Sequence, residues 1–101
     1  MHRIDFNELD WQSPLPKLRA KVHEQDGRRL RLVVFEPGFV EPDWCRRGHI
    51  GYVVSGEADI EFPDHTERFR PGDGLFIPAD TPHLLTVPGD AVTLVLVDDA
   101  T

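Results

Sequence analysis

The chain holds one cysteine, one methionine and one tyrosine among 101 residues. A single cysteine excludes an intrachain disulfide, and with it the stapled frameworks on which small secreted domains depend; a reducing cytoplasm is the compartment expected. No apolar run approaches the roughly 20 residues that a membrane span needs. The opening stretch, MHRIDFNELDW, carries acids early and lacks both the apolar core and the small-residue cleavage site of a signal peptide. Positive charge is scarce too. Eleven Lys and Arg stand against 18 Asp and Glu, for a net charge of −7. A duplex binder displaces counterions with cations, and the pairs Arg28-Arg29 and Arg46-Arg47 are too few to form a basic stripe; they read as solvated turn residues. Neither nucleic acid nor membrane is an expected partner.

Helical periodicity with caps is also missing between residues 15 and 98. Short alternating runs stand there instead, each closed by turn residues. Residues 17–25 (KLRAKVHEQ) alternate and meet Asp26-Gly27, a hairpin signal. Residues 30–36 stop at Pro37-Gly38, and residues 49–56 (HIGYVVSG) end at Ser55-Gly56. In residues 57–62 (EADIEF), Ala58, Ile60 and Phe62 share one face while Asp59 and Glu61 point away. Further runs occupy 66–70, 75–78, 83–87 and 91–97, the last apolar on both faces and expected to be fully buried. Seven or more short strands with frequent turns predict an all-β fold, an antiparallel sandwich or barrel. The chain is large enough for one modest core. Residues 1–14 are expected to form an arm lying on a barrel domain of residues 15–101. No internal repeat is visible.

The lone cysteine sits in EPDWCRRGHIGYVVSGE (41–57), with Asp43 two positions before it and His49 four after. On a strand Asp43 and Cys45 face the same way. His49 would lie roughly 13 Å from Cys45 on a straight strand, too far to share a metal ion. The chain must therefore fold back at Arg46-Arg47-Gly48, where Gly48 could take a positive φ. His49, Gly51 and Val53 would then line one face of the next strand, with Gly51 leaving space before it. Trp44 alternates to the opposite face and reads as packing. His2, His23 and His65 read as solvated, and Asp98-Asp99 as a charged tail.

Two stretches resemble the motifs of the cupin superfamily. The first, residues 38–56, is similar to G-x5-H-x-H-x(3,4)-E-x6-G; the second, residues 72–87 (beginning GDGLFIPADTPH), is similar to G-x5-P-x-G-x2-H-x3-N. Gly72, Pro78 and His83 match the second, while Asp80 replaces its inner glycine and Val87 its final asparagine. Counting back from Gly56 puts His49 at the family's glutamate and Cys45 and Asp43 at its two histidines, with four residues rather than five after Gly38. The 15 residues between Gly56 and Gly72 equal the family's short intermotif spacing. Over roughly residues 30 to 98 the resemblance implies a small antiparallel double-sheet β-barrel, jelly-roll-like.

Of the four usual ligand positions only His83 keeps the family's residue. Asp43, Cys45 and His49 are replacements, yet each is able to bind a metal. The expected site is therefore Asp43, Cys45, His49 and His83 around a divalent ion, zinc or iron. The competing reading makes Cys45 a small buried hydrophobe and the histidines hydrogen-bonded core residues. A third makes Cys45 a nucleophile activated by His49, but needs an orienting residue and an oxyanion donor. Relatives by fold span isomerases, dioxygenases, sugar binders and sensory domains, so fold alone decides no chemistry. The leading expectation is a metal-dependent enzyme, dioxygenase- or isomerase-like, acting on a small molecule inside the barrel. The alternatives are a binding or sensing module without turnover and a closed structural metal site. A barrel this small, with large apolar residues left to place, is expected to form a homodimer.

Overall fold

The computed structural model describes residues 2–100, so the outer limits of the expected arm and domain, residues 1 and 101, lie outside the described residues. Nine strands follow one another: β1 (Gln12–Leu15), β2 (Leu18–Gln25), β3 (Arg28–Phe35), β4 (His49–Ser55), β5 (Ala58–Phe62), β6 (His65–Phe69), β7 (Gly74–Ile77), β8 (Leu84–Thr86) and β9 (Val92–Asp99). A single 3-10 turn, Phe6–Glu8, is capped by the Asp5 carboxylate. The strands form two antiparallel sheets. One has six strands in the order β1-β2-β3-β9-β4-β7 and the other three in the order β6-β5-β8. The sheets do not close into a continuous barrel; they form a jelly-roll-like pair, the predicted fold.

Turn chemistry sets the joints. Asp26 and Gly27 both adopt positive φ (54° and 75°), which matches the twist of the β2–β3 hairpin. Gly56 and Gly72, the first glycines after β4 and before β7, are positive as well. Residues 39–45 run beside β8 as an irregular fourth strand of the smaller sheet. Its hydrogen bonds are Val87 N to Phe39 O (3.0 Å), Glu41 N to Leu85 O (3.0 Å) and the exchange between Cys45 and His83 (2.8 and 3.0 Å). Inward-facing Val33, Val53, Ile60, Val92 and Leu94 form the centre of the core between the sheets, all almost wholly buried. Each such side chain contributes on the order of 1.5–3 kcal/mol.

β9 does not follow expectation. Its inner residues are buried in strict alternation, Val92, Leu94, Leu96 and Asp98, while Thr93, Val95 and Val97 on the other face are only half-buried. The strand also continues through Asp98 and Asp99, so these are no tail. The outer face of the large sheet is apolar: Phe76, Ile50, Val97 and Leu30 sit at paired positions across four strands. Phe76 is 76% exposed. In the stretch expected to be an arm, β1 pairs with β2, and the Phe6 carbonyl accepts from Lys21 Nζ at 2.8 Å. Trp11 lies beneath the cations of Arg19 and Lys21 (4.7 and 5.0 Å).

Candidate metal centre

Two crossovers between the sheets meet at one end of the molecule. Residues 46–48 carry the chain from the small-sheet edge at Cys45 to β4 at His49. Residues 78–82 carry it from the end of β7 back to His83 and β8. They are tied together by Asp80 N donating to Arg46 O (2.9 Å) and by the pairing of His49 with Ile77. Gly48 is needed here for a reason other than the expected one. Its φ is not positive; instead a Cβ would stand 2.8 Å from the Ala79 backbone nitrogen, and the two crossovers could not lie so close. Gly51 likewise leaves no space. A Cβ there would meet Val95 O at 2.4 Å, because β9 already fills the room.

The fold-back joins three of the four expected residues. One donor atom from each of Cys45, His49 and His83 lies within 4.8 Å of the others. Cys45 Sγ is 3.8 Å from His49 Nε2, and the two imidazoles stand edge to face at 5.3 Å between centroids. Asp43 stays outside this group and is exposed. The bend at Pro42-Asp43 interrupts the alternation that would have put it beside Cys45. The carboxylate that does turn inward is Glu41, two residues earlier. It lines the same cavity and its Oε1 accepts from Leu85 N at 3.0 Å. Phe39, buried, and Val40, exposed, show the period-two pattern that could have pointed to Glu41. Trp44, read as packing, is 44% exposed and so no core residue.

Each imidazole is oriented by a partner at Nδ1. His83 Nδ1 donates to Thr81 O (2.8 Å), and His49 Nδ1 donates to Asp98 Oδ2 (3.2 Å). In its neutral form each ring so held carries its proton on Nδ1 and offers the Nε2 lone pair to a ligand, the arrangement that supports metal-bound histidines. Asp98, fully buried, also binds Arg29 Nε through Oδ1 (2.9 Å) and Arg31 Nη2 through Oδ2 (2.5 Å). Burial disfavours its charge, but the guanidiniums of Arg31 and Arg29 outweigh burial and leave its pKa below the ordinary aspartate value. Sequence reasoning missed this residue, although extending the alternation of β9 by one step reaches it.

The thiol is strongly perturbed. Hydrogen bonds with His49 and then His83, for which a metal-free ring needs a second proton on Nε2, stabilise the thiolate against the opposing effect of burial and pull the Cys45 pKa down to about 5. For His83, burial opposes the charged form, yet the contacts with Cys45 and Thr81 leave its pKa raised. Burial pushes Glu41 up. A thiolate with two neutral imidazoles is a donor set that suits zinc. Donors around a tetrahedral ion at about 2.0–2.3 Å lie on the order of 3.5 Å apart, so small rotamer shifts would close the present arrangement. The three residues fit a metal.

They face a cavity of about 170 Å³ between the sheets, closed by Phe35, Phe39, Ile60 and Leu94. A broader groove of about 590 Å³ shares Arg47, His49 and Ile77 with it and opens to solvent. Among the described residues no helix is long and apolar enough to cross a membrane.

Residues 31–98 match a family model described as Cupin domain. No curated protein matches the chain. Among solved structures, the polyketide cyclase RemF from Streptomyces resistomycificus is similar over 100% of this chain and 80% of its own, at 22% identity and a TM-score of 0.84. KdgF from Halomonas sp. is 27% identical over 94% of this chain and 92% of its own, with a TM-score of 0.75. Ectoine synthase from P. lautus is 17% identical over 98% of this chain and 78% of its own, with a TM-score of 0.83. The first and last of these speak for the fold alone.

Proposed function

The chain belongs to the cupin family, and from that premise we propose that it binds one divalent metal through Cys45, His49 and His83, beside a small-molecule ligand in the cavity between its sheets. The observation that carries this reading is the convergence of three donors, two of them imidazoles whose Nδ1 is already engaged. When bound, zinc would act as a Lewis acid toward that ligand, and iron would add redox chemistry. The chain's own residues do the rest. Asp98 and the Thr81 carbonyl hold the tautomers, and Phe35 and Phe39 keep water from the inner wall. Glu41 is the carboxyl placed to hold or pass a proton in the cavity, since burial raises its pKa. The compartment assigned is the cytoplasm, where a thiol stays reduced. Which reaction follows, isomerase- or dioxygenase-like, is left to the ligand; binding without turnover is the alternative.

One observation favours a second reading. Cys45, His49 and Asp98 line up as thiol, base and orienting carboxylate (3.8 and 3.2 Å), the arrangement of a cysteine nucleophile. His83 discriminates between the readings: a nucleophile needs one imidazole, whereas a second donor at the sulfur suits an ion. Elemental analysis of protein purified without chelator is expected to find about one metal per chain. His83→Ala should abolish uptake. Cys45→Ser should strongly weaken zinc binding, because it removes one of the three donors. Native protein that carries no metal and takes up neither zinc nor iron ends the metal reading.

A further inference from the structure

The cavity has a second chemical wall. β3 lines the cavity with Arg29 and Arg31, half-buried, on the same face as Val33 and Phe35. Two guanidiniums here share a single carboxylate, Asp98, which also serves His49. Positive charge therefore exceeds negative on this wall. Arg31 also has unused donor capacity: its Nε is buried and has no hydrogen-bond partner among the described residues. That Nε has no accessible surface, so an acceptor in the cavity would meet the guanidinium through the 18% of the Arg31 side chain that stays exposed. Arg31 Nη2 and His49 Nδ1 lie 2.5 and 3.2 Å from the same Asp98 oxygen, which puts the guanidinium next to the proposed metal ligands.

We propose that the ligand of this cavity is a small carboxylic acid, bound as its carboxylate against Arg31, with the remainder directed at the Cys45–His49–His83 group. The inference rests on the proposed function for the second half of that statement only. Size narrows the class. At about 170 Å³ the cavity is smaller than the roughly 300–1,000 Å³ of drug-sized sites, and holds on the order of five to ten heavy atoms. An anion also suits the electrostatics once a divalent ion is present, because a thiolate cancels only half of the ion's charge.

The test is calorimetric titration of the full chain with individual two- to five-carbon monocarboxylates, among them lactate and pyruvate. Each is compared with its neutral amide and with inorganic phosphate, using both metal-free and zinc-loaded protein. At least one carboxylate is expected to bind about tenfold or more tightly than its amide, and tighter than phosphate. Arg31→Gln should erase that preference, while Arg31→Lys, which keeps the charge, should retain part of it. Exposed Arg70→Gln should change nothing. If Arg31→Gln does not fold, the lysine variant and the carboxylate–amide comparison still decide. The inference is overturned if no carboxylate outbinds its amide, if phosphate binds best, or if Arg31→Gln binds carboxylate as the native chain does. Zinc uptake without any carboxylate preference sinks this inference alone; carboxylate binding without zinc uptake sinks the metal reading alone.

Discussion

Replacing Asp98 with asparagine tests the support of the site. The native carboxylate is fully buried and neutralises Arg29 and Arg31, whose side chains are 21% and 18% exposed, while accepting from His49 Nδ1. Asparagine keeps the shape but removes the charge. It also sets an NH2 group where Oδ1 or Oδ2 now accepts, so at least one donor faces another donor. Breaking one partner of a buried ion pair costs about 3–5 kcal/mol; residual exposure of the arginines lowers this to about 2–4 kcal/mol. In a domain of this size each kcal/mol moves the melting temperature by about 4–8 °C, which puts the expected fall at roughly 8–32 °C. Urea unfolding followed by far-ultraviolet circular dichroism gives the free energy directly. Metal affinity should fall in parallel by about 10- to 100-fold, because His49 loses the group that holds its tautomer. The pH dependence has a definite sign. A carboxylate with a lowered folded pKa stabilises fully above its unfolded value, about 3.8, and that stability drains as pH falls through the lower folded value. Native protein should show this acid loss and the variant should not. A loss below about 0.5 kcal/mol at pH 7, with metal affinity intact, would refute the reasoning.

Three further outcomes are expected. Gly51→Ala should destabilise by at least about 2 kcal/mol, since its Cβ would sit 2.4 Å from Val95 O and the backbone must shift. Gly89→Ala, with open space around it, should stay within about 0.5 kcal/mol by the same urea assay. In chelator-treated protein, iodoacetamide should alkylate Cys45 nearly as fast at pH 6 as at pH 8, and more slowly below about pH 5 as the thiolate gains a proton; added zinc should protect it. A rate that climbs tenfold per pH unit between 6 and 8 would show an ordinary thiol. Two copies are expected to pair through the apolar outer face around Phe76 and Ile50, and Phe76→Arg should shift sedimentation at micromolar concentration from dimer to monomer. A native monomer under those conditions rules the pairing out.

Most strands were readable because alternation and turn residues agree. Ala58, Ile60 and Phe62 face inward as period two requires, and Asp26-Gly27 makes the hairpin its dipeptide announces. The reading of the candidate site reached the convergence of Cys45, His49 and His83, where residue type carries the chemistry. It failed where a backbone irregularity or a distant partner decides. A bend after Pro42 sends Asp43 outward and leaves Glu41 as the inward acid. Asp98 looked like a tail because the apolar run ends at Val97, and only Arg29 and Arg31, 69 and 67 residues away, make its burial tolerable. Gly51 read as open space because no local pattern reveals that another strand occupies it.

The position of β9 has a consequence for how the chain is made. It comes last among the described strands, yet it lies in the middle of the large sheet, between β3 and β4. Until residues 92–99 have left the ribosome, the edges of β3 and β4 that β9 joins, with Leu30, Leu32 and Val33 on one and Ile50, Val53 and Val54 on the other, have no partner strand. Synthesis at about 5–20 residues per second leaves such edges open for seconds, and open edges of this composition recruit other chains. In the finished fold the eight residues of β9 bridge these two strands and bring Asp98 to His49.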